Sequence, residues 1–361
     1  MEEKIAVLPS LGDYAVPAGI FVRKCLGYKV IPTPPTTKKT MEIGSKNSPD
    51  TVCTPFKVIL GNFMDAIEKG ANVIIMPAVG CRLGFYDTLH RQILDDLGHK
   101  IELINLFEHC SYTTNPRKIF QLLTEYNPDL TQQQFDDALK VASKIVVDMD
   151  DLAGMIRKNR AFEIKKGEFD RNYKKYLSEA KDINTIEEAT AIGEKYKEIF
   201  STIRFNRPKR PLRIGLVGDL YSVIEPHGNC YIEKWLSDNK AEIVSPITMT
   251  YLATNLFDID GQIKKSGGYV SYYIGGNAGN TIAIAHEMAS SGEIDGIIHM
   301  KAATCSPEIT AMTVLQNISK DFNIPIIYFT FDIETSDAGV HTRLEAFIDM
   351  LHMKRAKKEA L

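Results

Sequence analysis

Short apolar runs alternate with stretches of helical spacing in two separate blocks of this chain, and that alternation leaves few folds open. In the first block, Lys4–Pro9 reads as a buried strand, Val16–Gly27 as a helix stopped by glycine, and Tyr28–Pro32 as a second strand. Pro55–Lys69 sets Val58, Ile59, Phe63 and Ile67 at helical spacing and ends at Gly70, a residue suited to the left-handed turn after a helix. Asn72–Met76 follows as a strand, Pro77–Gly84 as a loop, Asp87–Leu97 as a helix and Ile101–Leu106 as a strand. The second block repeats the layout without a clear sequence repeat. Its strands are Leu212–Gly218, Glu242–Val244, Gly296–Met300 and Pro325–Phe329, and its helices are predicted over 229–238, 278–291, 306–322 and 340–353. Strands that alternate with helices need crossover connections, which make parallel sheets covered on both faces. The expected fold is α/β, with two flavodoxin/Rossmann-like doubly wound parallel-sheet domains.

Between the blocks, residues 115–205 are rich in Lys, Glu, Asp, Gln and Ala and poor in strand signals. Phe120, Leu123 and Tyr126 mark one helical face, and Ala138, Val141, Ile145, Met149, Leu152 and Ile156 mark a longer one. These residues form a helical connector, and Pro208-Lys209-Arg210-Pro211 punctuates its end. The domains expected are 1–112, 113–208 and 209–361.

Bulk properties exclude several functions. A net charge of -3 with no basic arm excludes a nucleic-acid surface. The Lys354–Lys358 run reads as a solvated helix end favoured by the helix dipole. No apolar run approaches the roughly 20 residues of a bilayer span. Met1-Glu2-Glu3-Lys4 leads straight into a strand and does not read as a signal peptide, so a cytoplasmic protein is expected. Six cysteines in 361 residues, with no Cys-x-x-Cys, suit neither a disulfide framework nor a zinc ribbon.

Three of those cysteines sit where a strand or loop gives way to a helix. Cys53-Thr54-Pro55-Phe56-Lys57 and Cys305-Ser306-Pro307-Glu308 share a Cys-x-Pro pattern, and Cys81 follows the strand ending at Met76. Strand ends and helix N-termini are exposed and electropositive, which favours thiolates. Ligands of open parallel sheets gather beyond the carboxyl ends of the strands. Cys53, Cys81 and Cys305 are therefore expected to hold one iron–sulfur cluster, converging if the two sheets face each other. Three thiolates without a fourth would leave one iron open to a substrate oxygen, by the logic that separates catalytic from structural metal sites. Cys25 and Cys110 read as structural, and Cys230 is the remaining candidate for a fourth ligand.

The same segments resemble a known superfamily. Cys53-Thr54-Pro55-Phe56-Lys57, the Asp295–Met300 strand with Cys305-Ser306-Pro307-Glu308, and Thr335–Val340 with Thr342–Phe347 are similar to motifs of the 2-hydroxyacyl-CoA dehydratase and benzoyl-CoA reductase superfamily, in its activase-related branch. The resemblance implies a 4Fe–4S cluster on Cys53, Cys81 and Cys305. It also implies a homologous second subunit or a homodimer, and a separate ATP-dependent iron–sulfur activator that supplies low-potential electrons. A CoA thioester would be the substrate, reduced by one electron at its carbonyl so that a 2-hydroxyl group can leave. The rival reading is a non-catalytic electron carrier or metallocluster-handling component of a larger anaerobic complex.

Other residues carry weaker signals. Glu308 opens a helix beside Cys305 and is the acid/base candidate. Lys57 lies in the turn after Cys53 and could neutralise the cluster or a phosphate. Gly275 and Gly276 lead into a helix and could cradle a CoA phosphate through backbone N–H groups. Asp219 and Tyr221 end the first strand of the second block, on the edge of Cys305. His299 reads as a core histidine, and Arg343 with Glu345 as a buried ion pair holding the C-terminal helix.

Overall fold

The computed structural model describes residues 3–76, 85–106 and 115–359. The chain divides into two compact units, Met1–Ala153 with Lys165–Arg204, and Gly154–Ile164 with Phe205–Leu361.

The first unit begins β1 (Ile5–Val7), α1 (Ala15–Leu26), β2 (Lys29–Val30), α2 (Lys38–Lys46), α3 (Thr54–Glu68), β3 (Val73–Met76), α4 (Tyr86–Asp96), β4 (Glu102–Asn105). It continues with α5 (Pro116–Tyr126), α6 (Gln132–Asn159), α7 (Glu168–Ala180) and α8 (Ile186–Thr202), of which α6 runs on into the second unit. The four strands are parallel in the order β2-β1-β3-β4. Because side chains alternate along a strand, the sheet presents two apolar faces. Val7, Ile74, Met76 and Leu103 pack against Phe56, Leu60 and Phe63 of α3 and Leu94 of α4. Ala6, Leu8, Val73, Ile75 and Ile104 pack against Val22 and Cys25 of α1, Leu123 of α5 and Phe135 of α6. Helices on both faces make the sheet doubly wound.

The second unit contains β5 (Leu212–Gly218), α9 (Leu220–Ile224), α10 (Ile232–Asp238), β6 (Ala241–Val244), α11 (Met249–Asn255), α12 (Ile259–Lys265), α13 (Ala278–Ser291), β7 (Gly296–Ala302), α14 (Ser306–Asp321), β8 (Ile326–Phe331) and α15 (Asp337–Glu359). Its strands are again all parallel, in the order β6-β5-β7-β8. The helix expected over 278–291 has those bounds in the structure, and β7 and β8 each run two residues past their predicted ends because Lys301↔Thr330 and Ala302↔Phe331 still pair. The C-terminal helix starts earlier and runs longer than the predicted 340–353. Its basic end is only partly solvated. Lys357 and Lys358 are exposed, but Arg355 donates from Nε and Nη2 to Asp295 at 2.7 and 2.8 Å and from Nη2 to Pro211 O at 2.7 Å.

The expected Arg343–Glu345 ion pair is absent from the structure. Both residues are exposed, and Arg343 instead donates to Tyr328 O at 2.7 Å while its guanidinium lies 4.4 Å from the centre of the Phe329 ring. Residues two apart on a helix do not face each other, which is the physical reason the pair fails.

Helix α3 is placed by a close backbone crossing with α2. A Cβ on Gly44 would lie 1.8 Å from Lys57 O, and one on Gly61 would lie 2.0 Å from Thr40 O. Neither neighbour is a side-chain tip that could swing aside. Gly154, in α6, has nothing within 4 Å of its Cβ position. We expect Gly61→Ala to lower the unfolding free energy by about 2 kcal/mol or more through overpacking, and Gly154→Ala to raise it by roughly 0.5–1 kcal/mol through helix propensity. Urea denaturation of the two variants checks this; equal effects would refute the crossing.

Candidate iron–sulfur site

The order β6-β5-β7-β8 puts a topological switch point between β5 and β7, where ligands of this architecture bind at the carboxyl ends of the strands. Three segments meet there. Gly218 ends β5 at φ +146°, with a Cβ position only 1.7 Å from Met300 O, so no other residue fits. Asp219 follows and caps α9, its Oδ1 accepting from Ser222 N–H at 2.9 Å. Its Oδ2 accepts from Ala302 N–H at 2.6 Å and from Ser222 Oγ at 2.8 Å, which ties the end of β7 to the end of β5. Burial pushes the Asp219 carboxyl above its ordinary range, with the Glu308 charge adding to the shift and hydrogen bonds from Ser222 and Ala302 opposing it.

From that anchor the chain turns sharply into α14. Ala303 N–H donates to Phe331 O at 2.7 Å and Cys305 N–H to Ala302 O at 3.2 Å, while Thr304 takes φ +62°. Cys305 is the N-cap of α14 with Pro307 in the first turn, and its side chain makes no capping hydrogen bond. Gly275 (φ +112°) and Gly276 (φ +52°) pack on Pro307, whose nearest atom lies 3.7 and 3.5 Å from their Cβ positions. The structure thus brings Gly275, Gly276 and the Cys305 turn together. The glycines are needed there for backbone conformation, since a Cβ would find ordinary contact distances. Asn277, the N-cap of α13, donates from Nδ2 to Gly218 O at 2.8 Å and closes the ring of segments. Lys301, buried in β7, directs its Nζ to Ala302 O at 3.5 Å.

Glu308 is sealed beneath this edge at 1% exposure. Its Oε1 lies 3.0 Å from Thr281 Oγ1 and its Oε2 2.9 Å from His299 Nε2. Thr281 Oγ1 in turn lies 3.2 Å from Gly218 O. Both oxygens of the carboxylate are therefore occupied by α13 and β7, and Glu308 fastens the first turn of α14 to the sheet. His299 is fully buried, as expected of a core histidine, although its Nδ1 has no hydrogen-bond partner.

The first unit supplies a matching feature. Cys53 is the N-cap of α3 with Pro55 in the first turn, again with no side-chain cap. Its Sγ contacts Tyr86 Oη at the start of α4. One helical turn on, His90 Nε2 donates to Phe56 O at 3.1 Å, and its ring stacks on Phe56 with centroids 4.0 Å apart. Tyr86 meets Phe56 edge-on at 4.9 Å. Tyr86 and His90 thus rivet α4 to the first turn of α3. Neither was singled out in the sequence; their i, i+4 spacing in an amphipathic helix was the available signal. Lys57 lies in the same turn, half-buried, and its carbonyl faces Gly44.

The two other described cysteines, Cys25 and Cys230, are both buried. Burial pushes the Cys25 thiol up to about 12, in accord with a core role. Burial, with a hydrogen bond to Asp337, does the same to Cys230. Cys230 and Tyr231 both take left-handed conformations, near φ +55°. Thr304 is the third such residue at this edge, whereas Lys240 and Asn323 merely follow helix ends. Strain of this kind gathers at working sites. Cys81 and Cys110 lie outside the described residues. Among the described residues, no three His, Cys, Asp or Glu side chains form a metal-holding group. Cys53 and Cys305 each have the donor chemistry of an iron–sulfur ligand, as free thiols at helix N-termini.

His90 gives this region a pH dependence. Burial pulls its pKa down to about 4, opposed by the Phe56 carbonyl and Asp87. A depressed base favours folding while neutral, so its contribution is whole above the unfolded value near 6.5 and is lost as pH falls towards 4. We expect the unfolding free energy of the protein to drop between pH 7 and pH 4 by about 3 kcal/mol more than that of His90→Gln. Urea titrations at the two pH values measure this, and parallel slopes would refute it.

Comparison with known families agrees with the resemblance carried by the motifs. Residues 16–82 match a domain described as an uncharacterised domain of CoA enzyme activases. Residues 91–351, over two thirds of the chain, match 2-hydroxyglutaryl-CoA dehydratase, D-component. No curated protein matches the sequence. With its doubly wound parallel sheets and its motif-bearing C-terminal unit both in place, the chain belongs to the 2-hydroxyglutaryl-CoA dehydratase D-component family.

Proposed function

We propose that this chain is the iron–sulfur subunit of a reductively activated 2-hydroxyacyl-CoA dehydratase-like or acyl-CoA reductase-like enzyme. The observation that carries the reading is the repeated Cys-x-Pro N-cap, at Cys53 and at Cys305, in a chain of the dehydratase family. Cys53, Cys81 and Cys305 would hold a 4Fe–4S cluster. When bound, that cluster supplies single low-potential electrons to a thioester carbonyl. The protein's own work is positional. Asp219 and Glu308 fix the turn that carries Cys305, and the N-termini of α3 and α14 place partial positive charge beside the thiolates. Gly275 and Gly276 offer a turn whose backbone could take a CoA phosphate, and Lys57 places a cation in the first turn of α3. Glu308, with both oxygens engaged below the surface, serves this reading as an anchor for the site. Electrons would come from a separate ATP-dependent iron–sulfur activator, with a homologous subunit or a second copy completing the enzyme.

A second reading is favoured by the activase-related match over residues 16–82, the segment that contains Cys53 and Cys81. In that case the chain passes electrons or handles a metallocluster within an anaerobic complex and turns over no thioester itself.

Anaerobic purification tests both. We expect brown protein with about four irons per chain and an EPR signal on reduction, and loss of most of the iron in Cys53→Ala, Cys81→Ala and Cys305→Ala but not in Cys25→Ala. Zinc in place of iron, or iron unaffected by the three substitutions, would overturn the proposal. Dehydration of 2-hydroxyacyl-CoA with activator and ATP selects the first reading. Electron transfer without it selects the second.

A further inference from the structure

The contact between Tyr86 and Cys53 joins residues that no motif connects. Tyr86 opens α4, half-buried, with its ring held edge-on by Phe56 at 4.9 Å and close to His90 at 5.9 Å. His90 is itself fixed to the Phe56 carbonyl. Phe56 and His90, stacked on each other at 4.0 Å, together support the Tyr86 ring in the orientation that brings its hydroxyl to the sulfur. In a thiol–phenol pair either group can donate. A metal-bound thiolate has no proton, so the phenol must then be the donor.

We propose that Tyr86 is a positioning and tuning residue for the cluster: its hydroxyl donates to the Cys53 sulfur and raises the cluster's reduction potential. The inference rests on the iron–sulfur reading above. The physical reason is charge. Reduction adds negative charge that spreads over the cluster and its thiolates, and a hydrogen bond to sulfur stabilises the more negative state more strongly. Buried surroundings strengthen the effect, and Cys53 is 9% exposed within the apolar packing of α3 and β3. The neutral His90 adds no charge of its own at neutral pH, and the hydroxyl reaches this sulfur from α4 as a dipole.

The test is an anaerobic redox titration of the iron-loaded protein, followed by EPR, with a titanium(III) reductant. Tyr86→Phe keeps the ring and removes the donor. We expect unchanged iron content and a more negative potential, with about a tenfold lower reduced-to-oxidised ratio at fixed potential, which corresponds to about 59 mV for one electron. Placing 3-fluorotyrosine at position 86 makes the hydroxyl a stronger donor in the same shape, and the shift should then be positive. Identical potentials in all three proteins would overturn the proposal. So would shifts of the same sign in both variants, which would mark a packing effect. Loss of iron from Tyr86→Phe alone would overturn it as well, since a tuning donor is not needed for the cluster to bind. A wild-type protein without iron would instead refute the underlying reading.

Discussion

Cysteine is a poor helix cap, and this fold uses it as one twice. Ser, Thr, Asp or Asn at an N-cap accepts from a backbone N–H of the first turn and is worth about 1 kcal/mol. Cys53 and Cys305 accept no such bond, although Thr37, Asp219 and Thr248 cap their helices normally. Both cysteines are followed by a proline in the first turn, where its missing N–H matters least. A helix start built this way gives up capping energy and keeps a thiol in the field of the helix dipole. The stability of the surroundings has to make up the difference. It does so through the α2–α3 glycine crossing and the His90–Phe56 bond in one unit, and through the Asp219 and Glu308 anchors in the other.

The two units share a strand order and differ in where the thiol sits. In the first, Cys53 caps the helix before the third strand. In the second, the equivalent cap before β7 is Asn277, whose side chain is spent on the Gly218 carbonyl, and Cys305 caps the helix after β7, as Cys81 follows β3 in the sequence of the first. One architecture thus presents a thiol from two different strand–helix junctions. Positive φ at Thr304, Gly275 and Gly276 shows how tightly the second junction is folded.

Much of the fold was legible because its strands are continuous apolar runs between glycines and prolines. Val73–Met76 and Gly296–Ala302 are buried throughout, and no other element suits them. Helix α2 was missed because it is mostly polar and depends on a Thr37–Thr40 capping box and on contact with α3. The short helices α9, α11 and α12 were missed because one or two turns hold too few apolar repeats to show a period. The Cys-x-Pro sites were readable from local grammar alone. Asp219 was readable as a strand end on the Cys305 edge, but its bond to Ala302 across 83 residues was not, nor was the reach of Tyr86 to Cys53 across 33, because such partners come from distant places. Glu308 was noticed for its place at a helix start, but its inward partners, Thr281 and His299, lie on two other elements.

The claim on which the functional reading depends is that three particular sulfurs are bound to iron. Alkylation mapped by mass spectrometry, on iron-loaded protein and on the same protein after anaerobic chelation, tests it residue by residue. Cys53, Cys81 and Cys305 should be protected while iron is present and modified once it is removed, with Cys25 and Cys230 unchanged between the two states. Equal modification of Cys53, Cys81 and Cys305 with and without iron would contradict it.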